Sequence, residues 1–268
     1  MRRRTDIASY PDCTEDSLER TRRRELDAVR KWFRPRMKVL EIGGHTGFQA
    51  AILAAWGCQV LSLDIDVPCG GRQYFDVMQY DGLHLPVADA ALDAIYSSHM
   101  LYYELDTPEF FAELRRVLKP AGLAIHIMPT SVWRVATCLT YYPYAVKRAL
   151  VYLAQLAEET SQFAVTANPN TAAVGAAATR IKWWRRLFAG PLGPAPSAWA
   201  EFLSWRRTEL KRLFTREAFE IIDVCPLRIF YTGYGLFSNS LPFGVRRLLS
   251  GVLGSASAAY ITRRATGE

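Results

Sequence analysis

The run Val39-Leu40-Glu41-Ile42-Gly43-Gly44-His45-Thr46-Gly47 joins an apolar stretch to a glycine turn. Glycine lets a backbone turn sharply and approach a ligand closely, and a helix opening behind it would offer free N–H donors. Asp64, at the end of the next apolar stretch, is placed to accept hydrogen bonds from a ribose diol. On these residues alone the ligand is NAD or another adenosine compound. Glu41 narrows the choice. A carboxylate at this point opposes a pyrophosphate and suits a cation.

The remaining reactive residue types are sparse. The five cysteines (Cys13, Cys58, Cys69, Cys138 and Cys225) are scattered and never spaced CxxC, which argues for a reducing compartment and against a zinc site or a disulfide framework. The four histidines are dispersed without HExxH, so no metal site is expected.

These residues need a scaffold, and the hydrophobic pattern describes one. Ser17 to Phe33 reads as a charged amphipathic helix with Leu18, Leu26, Val29 and Phe33 on one side, ended by Pro35. Met37–Ile42, Val60–Ile65, Ala94–Ser98 and Leu123–Met128 read as buried strands. Phe48–Trp56 reads as a helix closed by Gly57. Thr107-Pro108 reads as a cap and first helical residue of a helix running to Leu118, with Lys119–Gly122 stopping it. Strand–helix units with continuous apolar strands imply an α/β, doubly wound, mostly parallel sheet covered on both faces.

Past Pro129 the rhythm changes. Residues 131–216 hold helical stretches, five of the seven tryptophans and a Pro/Gly/Ala tract at Gly190–Pro196; two late strands follow at Ala218–Val224 and Ser257–Thr262. This gives a core over 1–130, a helical, basic, Trp-rich insertion over 131–216, and a completing segment over 217–268. The net charge of +7 divides into −2 for residues 1–130 and +9 for 131–268, a bias that favours anionic partners. Met1–Arg4 run into Thr5-Asp6 rather than an apolar run, and no stretch reaches the ~18 apolar residues of a spanning helix. The expectation is a cytoplasmic protein, soluble or associated with the inner face of a membrane.

Six stretches now fall in order: Val39–Gly47, Leu63-Asp64-Ile65, Tyr80–Pro86, Ala88–Asp93, Ser97–Leu101 and Arg116–Gly122. Together they resemble the class I S-adenosylmethionine (SAM)-dependent methyltransferases, in particular the type 11 domain group. SAM carries no phosphate but brings an ammonium and a sulfonium, which suits Glu41. The resemblance implies a seven-stranded Rossmann-like sheet with an antiparallel last strand. It implies that Glu41, Gly43, Gly44 and Gly47 shape the loop around the methionine moiety, that Asp64 binds the ribose and that Ile65 packs on adenine. Asp81 would accept from the adenine amino group, flanked by Gly82 and Leu83, and Ser97 with Ser98 would line the floor beneath the methyl group. Three departures stand out: His45 in place of a middle glycine, Gly70-Gly71 after the second strand, and Tyr102-Tyr103 where relatives often carry Glu-His.

For a hydroxyl or phenol acceptor a general base helps. His99, just past the fourth strand, is the candidate, with Tyr102 and Tyr103 beside it; the alternative is a structural histidine. The Asn-Pro-Pro-aromatic signature of base N-methylation is missing, which counts against a nucleobase acceptor and makes nucleic acid the lesser partner. Lys182–Phe188, Trp205-Arg206-Arg207 and Lys211–Phe214 interleave cations with aromatics, as a helix on an anionic bilayer would. With the greasy, basic stretches Val135–Leu153 and Leu241–Leu253 they point to a lipid, lipid-linked saccharide or other small-molecule acceptor and to an anionic membrane surface. The other classes are an NAD-dependent oxidoreductase and a noncatalytic SAM-fold protein.

Overall fold

The computed structural model describes residues 15–68, 70–166, 190–191, 193–233 and 241–265. The cation–aromatic run Lys182–Phe188, Cys13 and Cys69 lie outside them.

The described chain opens with α1 (Glu15–Ala28), followed by a 3-10 turn over Arg30–Trp32 rather than one helix to Phe33. It continues through β1 (Lys38–Ile42), α2 (Phe48–Ala55), β2 (Gln59–Asp64), β3 (Val77–Gln79), β4 (Leu92–Ser98), α3 (Pro108–Val117) and β5 (Leu118–Pro129). Among the described residues, α4 (Ser131–Thr166), α5 (Ala198–Ser204) and α6 (Arg207–Arg216) follow. β6 (Phe219–Pro226), α7 (Phe243–Leu253) and β7 (Ser257–Arg264) complete the described chain.

One seven-stranded sheet runs β3-β2-β1-β4-β5-β7-β6. β1 to β5 pair in parallel, and β7 lies antiparallel between β5 and β6. This is the expected fold. The apolar strands feed two cores, as period-two side chains must. Leu40, Ile42, Ile95 and Tyr260 pack with Phe110, Phe111, Leu114, Leu210 and Phe214 on one face. On the other, Val39, Tyr96, Ile125 and Ile261 pack with Leu26, Val29 and Leu53.

Local details differ from the sequence expectations. Thr107 sits at the N-cap of α3 but makes no side-chain cap bond; Pro108 alone presets that helix start. Lys119–Gly122 do not separate helix from strand. They form an irregularity inside β5, between the pairs Leu92↔Leu118 and Ala94↔Leu123. Trp205, Leu213 and Phe214 are 3%, 8% and 0% exposed, so these parts of the cation–aromatic stretches face the core and not a ligand or bilayer. The periodicity of α6 buries Leu210, Leu213 and Phe214 together and leaves its cations outside. No helix of the described residues is long and apolar enough to cross a membrane.

Candidate active site

The glycine turn sits where β1 meets α2, at the carboxyl edge of the parallel strands. The Gly43 and Gly44 amides donate to the Leu63 carbonyl at 2.8 and 3.1 Å, stitching the turn to β2. Gly43, His45 and Gly47 have φ of 84°, 51° and 71°. His45 therefore keeps the left-handed backbone that a glycine would take without cost, and its amide donates to Asp64 Oδ2 at 2.8 Å. The Asp66 amide reaches Asp64 Oδ1 at 3.3 Å, so the acid that ends β2 is fixed by the backbone on either side.

Glu41 lies beneath this turn, 2% exposed, with Ser62 Oγ donating to its Oε2 at 2.5 Å. Burial pushes its carboxyl up to about 7, against the Ser62 hydrogen bond and with the nearby Asp64 carboxylate adding to the rise. A Cβ on Gly44 would stand 2.0 Å from Ser62 Oγ and 2.9 Å from Glu41 Oε2, so only glycine fits over the pair. Glu41 thus underlies the loop, with Gly44 packed directly over it.

On the adenosine side, Ile65 is 36% exposed and a Cβ on Gly82 would come within 3.1 Å of its Cγ2. The missing side chain lets Gly82 sit close against Ile65. Asp81 is exposed; its Oδ1 accepts from the Leu83 and His84 amides at 2.8 and 2.7 Å, and its Oδ2 meets His84 Nδ1 at 2.6 Å. The His84 hydrogen bond, then the two amides, hold this acid down at about 2.

At the end of β4 the two serines part company. Ser97 is fully buried with its hydroxyl against His126 Nδ1 at 2.7 Å, on the face where His126 stacks on Phe214. Its side chain therefore turns away from the crevice. His99 (φ 53°) turns the chain at the carboxyl edge, and its Nε2 meets Glu25 Oε1 of α1 at 3.1 Å. The same oxygen accepts from Ser257 Oγ at 2.7 Å and Tyr231 Oη at 3.0 Å, while Arg22 holds Oε2 at 2.7 Å. Burial works against the Glu25 carboxylate, but His99 and Arg22, with hydrogen bonds from His99 and Ser257, outweigh it and keep the acid well below its ordinary value. His99 is held below its usual value by burial and by Arg22, with Glu25 pulling the other way. The histidine is neutral near pH 7, and Glu25 accepting from Nε2–H leaves Nδ1 as the basic nitrogen.

The sequence marks His99 but not Glu25, Arg22, Tyr231 or Ser257. α1 shows Glu25 as one acid in a charged helix, and its partners His99, Tyr231 and Ser257 are 74, 206 and 232 residues away. The signal available was weak: an acid next to Leu26 on the apolar side of α1.

Beyond His99 lies an aromatic cluster whose tryptophans are buried. Ring contacts run from His99 to Tyr231 (6.5 Å), Trp133 (6.4 Å), Trp205 (5.7 Å), Tyr102 (5.5 Å) and Tyr103 (4.2 Å). Arg134 and Glu201, each 1% exposed and 3.1 Å apart, tie α4 to α5 above it.

A doubly wound sheet with a glycine turn and an acid after its second strand defines an adenosine-cofactor site of the Rossmann-like class. Residues 40–126 match a family described as "Methyltransferase domain". The "Biotin biosynthesis bifunctional protein BioHC" of Cellvibrio japonicus is 37% identical over 98 residues, covering 33% of this chain and 19% of that protein. A "Demethylmenaquinone methyltransferase" of Corynebacterium urealyticum is 33% identical over 147 residues, covering 53% of this chain and 61% of the relative. The chain thus spans less than two thirds of either relative's length. Among solved structures, the complex of the Haloferax volcanii Trm112 methyltransferase activator with a putative methyltransferase contains a chain of the same fold. It is 12% identical, with a TM-score of 0.53 over 99% of this chain and 100% of that one. Residues 40–126 are thus similar to a methyltransferase domain, and the cofactor of the SAM-dependent members of that family is SAM.

The residues present fit that cofactor. Two neighbouring carboxylates at the turn suit a cation and oppose a pyrophosphate, and the exposed side chain of Ile65 offers an apolar surface to an adenine ring.

Proposed function

We propose that this chain transfers a methyl group from SAM to an oxygen of a hydrophobic small molecule, of the lipid or lipid-linked saccharide class. The observation that carries the reading is Glu41. A buried acid pushed up to about 7 beside Asp64 is costly beneath a phosphate and favourable beneath an ammonium or sulfonium. Gly43, Gly44 and Gly47 would cradle the methionine end. Asp64 would hold the ribose diol, and Ile65, Asp81, Gly82 and Leu83 the adenine, with Ser97 contributing backbone alone. The cofactor, when bound, supplies an activated methyl group, so the protein's task is alignment and proton removal.

His99 is the base in this reading. Glu25 fixes its tautomer and stabilises the imidazolium formed when Nδ1 takes the acceptor's proton. Trp133 and Trp205 back the aromatic cluster from the core, and the half-buried rings of Tyr102, Tyr103 and Tyr231 would select an apolar acceptor. Residues 131–216 form the acceptor-binding cap over the core of 1–130, which residues 217–268 complete. The relatives' printed names include a demethylmenaquinone methyltransferase and a "Malonyl-[acyl-carrier protein] O-methyltransferase" from Xylella fastidiosa. Their acceptors differ, so the acceptor here is argued from the half-buried tyrosine rings beside His99.

Calorimetry with SAM, its demethylated product and NAD tests the cofactor. Binding of the first two and not the third is expected. NAD binding would instead mark an oxidoreductase, and binding of none a noncatalytic relative of the fold.

A further inference from the structure

The core positions of Trp205 and Phe214 take those aromatics away from any membrane face, yet the structure leaves another face uncovered. Along α4, Val135, Leu139 and Tyr142 are 45%, 66% and 51% exposed, and Val146, Leu150 and Leu153 repeat the pattern at 60%, 62% and 59%. The second triplet follows the first by about three helical turns, so all six share one face of the helix. α7 presents a shorter stripe, Val245, Leu248 and Val252, at 40%, 71% and 80%. Scattered exposed apolar residues are ordinary; two aligned stripes are not.

The helices are neighbours at the edge of the sheet that holds the site. A Cβ on Gly254, just after α7, would lie 2.9 Å from Val132 Cγ2 of α4. Thr130 Oγ1 donates to the Ser255 carbonyl at 2.6 Å, and Pro129 pairs with Ser257 where β5 and β7 meet. Arg24 of α1 and Arg246 of α7 both lie over the Phe243 ring, at 5.0 and 4.9 Å, which docks α7 to the helix that carries Glu25. Charge favours one occupant. Neither residues 131–154 nor α7 contains an acid, and exposed Lys147 flanks the α4 stripe, while Arg148 and Arg247 are exposed farther round their helices. Residues 131–268 as a whole balance at +9. A second copy of this chain would set like charges against each other, whereas an anionic lipid surface complements them.

We infer that the outer faces of α4 and α7 form a docking surface for an anionic lipid bilayer, lying flat on it and holding the carboxyl edge of the sheet near the lipid. This deepens the lipid-acceptor reading above, but docking needs neither cofactor nor turnover, so the two fail separately.

The test is flotation of the full chain with vesicles of phosphatidylcholine alone and of phosphatidylcholine with phosphatidylglycerol, at low and high salt. The chain is expected to float with the anionic vesicles only, and less at high salt. The double variant Leu139→Glu/Leu150→Glu is expected to lower partitioning at least about tenfold while binding demethylated cofactor as the parent does. Lys147→Glu/Arg148→Glu, which leaves the stripe intact, is expected to lower it severalfold. Absence of flotation with anionic vesicles would overturn the proposal, as would unchanged flotation of the leucine variant. Two further results would overturn it by naming another occupant. A parent dimer that the leucine variant converts to monomer, by sedimentation, would place a second copy on the stripe. A lower Tm of that variant with flotation retained would mean the chain covers the stripe itself.

Discussion

His99 and Glu25 carry the sharpest consequences at the scale of single residues. The rate should depend on neutral His99, whose proton affinity lies below the ordinary 6.5; kcat should therefore be flat above about pH 6.5 and fall only at lower pH. His99→Asn should lower kcat by roughly 10²–10⁴ with cofactor affinity kept, measured by turnover and calorimetry. Glu25→Gln removes the group that pulls His99 upward and leaves Arg22 acting alone. Its residual activity should show an acid limb displaced to still lower pH, which a merely structural role would not produce. The change also strips a buried ion pair, so a loss of about 3–5 kcal/mol in stability is expected alongside.

Glu41 works in the opposite direction. Its folded value, raised to about 7 from an unfolded 4.5, means that the folded state binds the proton more tightly. The stability it contributes is full below about pH 4.5 and is lost as pH rises through 7. Glu41→Gln should therefore match the parent near pH 4.5 and exceed it by up to about 3 kcal/mol near pH 8, read from denaturant midpoints. Cofactor affinity should fall in the same variant. A gain in affinity would contradict the role assigned to the carboxylate.

The turn between β1 and α2 is a unit in which Gly44, Ser62 and Glu41 share one small volume. Gly44→Ala places a methyl 2.0 Å from Ser62 Oγ and should lower stability by about 1–3 kcal/mol with loss of cofactor binding. Adding Ser62→Ala removes the nearest clashing atom and should recover part of the stability, a coupling readable in a double-mutant cycle. In α6, Phe214→Ala should cost about 3–5 kcal/mol, as expected of a fully buried ring among Phe111, Phe219 and Tyr260. Its partitioning to anionic vesicles should be unchanged where the protein remains folded.

Across the whole molecule, legibility followed burial and sequence distance. β1, β2, β4 and β5 are central strands whose apolar runs announce them, and the glycine turn lies between two of them. β3 is three residues at the sheet edge with Met78 and Gln79 exposed, so no apolar run marks it. The cations beside Trp205 and Phe214 suggested a surface stripe, because adjacency in sequence conceals which side of a helix each residue takes. His99 was visible as a titratable group near a strand end, but its environment was not. That environment is assembled from α1, the segment after β6 and the first residue of β7.

That last contact ties the start of the described chain to its end. β7 lies between β5 and β6, so translation up to residue 256 would produce five parallel strands whose outer edge, β5, has no neighbour. β6 would have nothing to pair with, and Glu25 would lack Ser257. An unpaired apolar strand edge is a template for aggregation. A chain stopped before Ser257 should accumulate as insoluble material in a sedimentation assay of expressed protein, whereas one retaining residues through Arg264 should stay in solution. Biosynthesis thus leaves the sheet open until β7 slides into the gap, and a ribosome stalled before it would release a fragment prone to self-association.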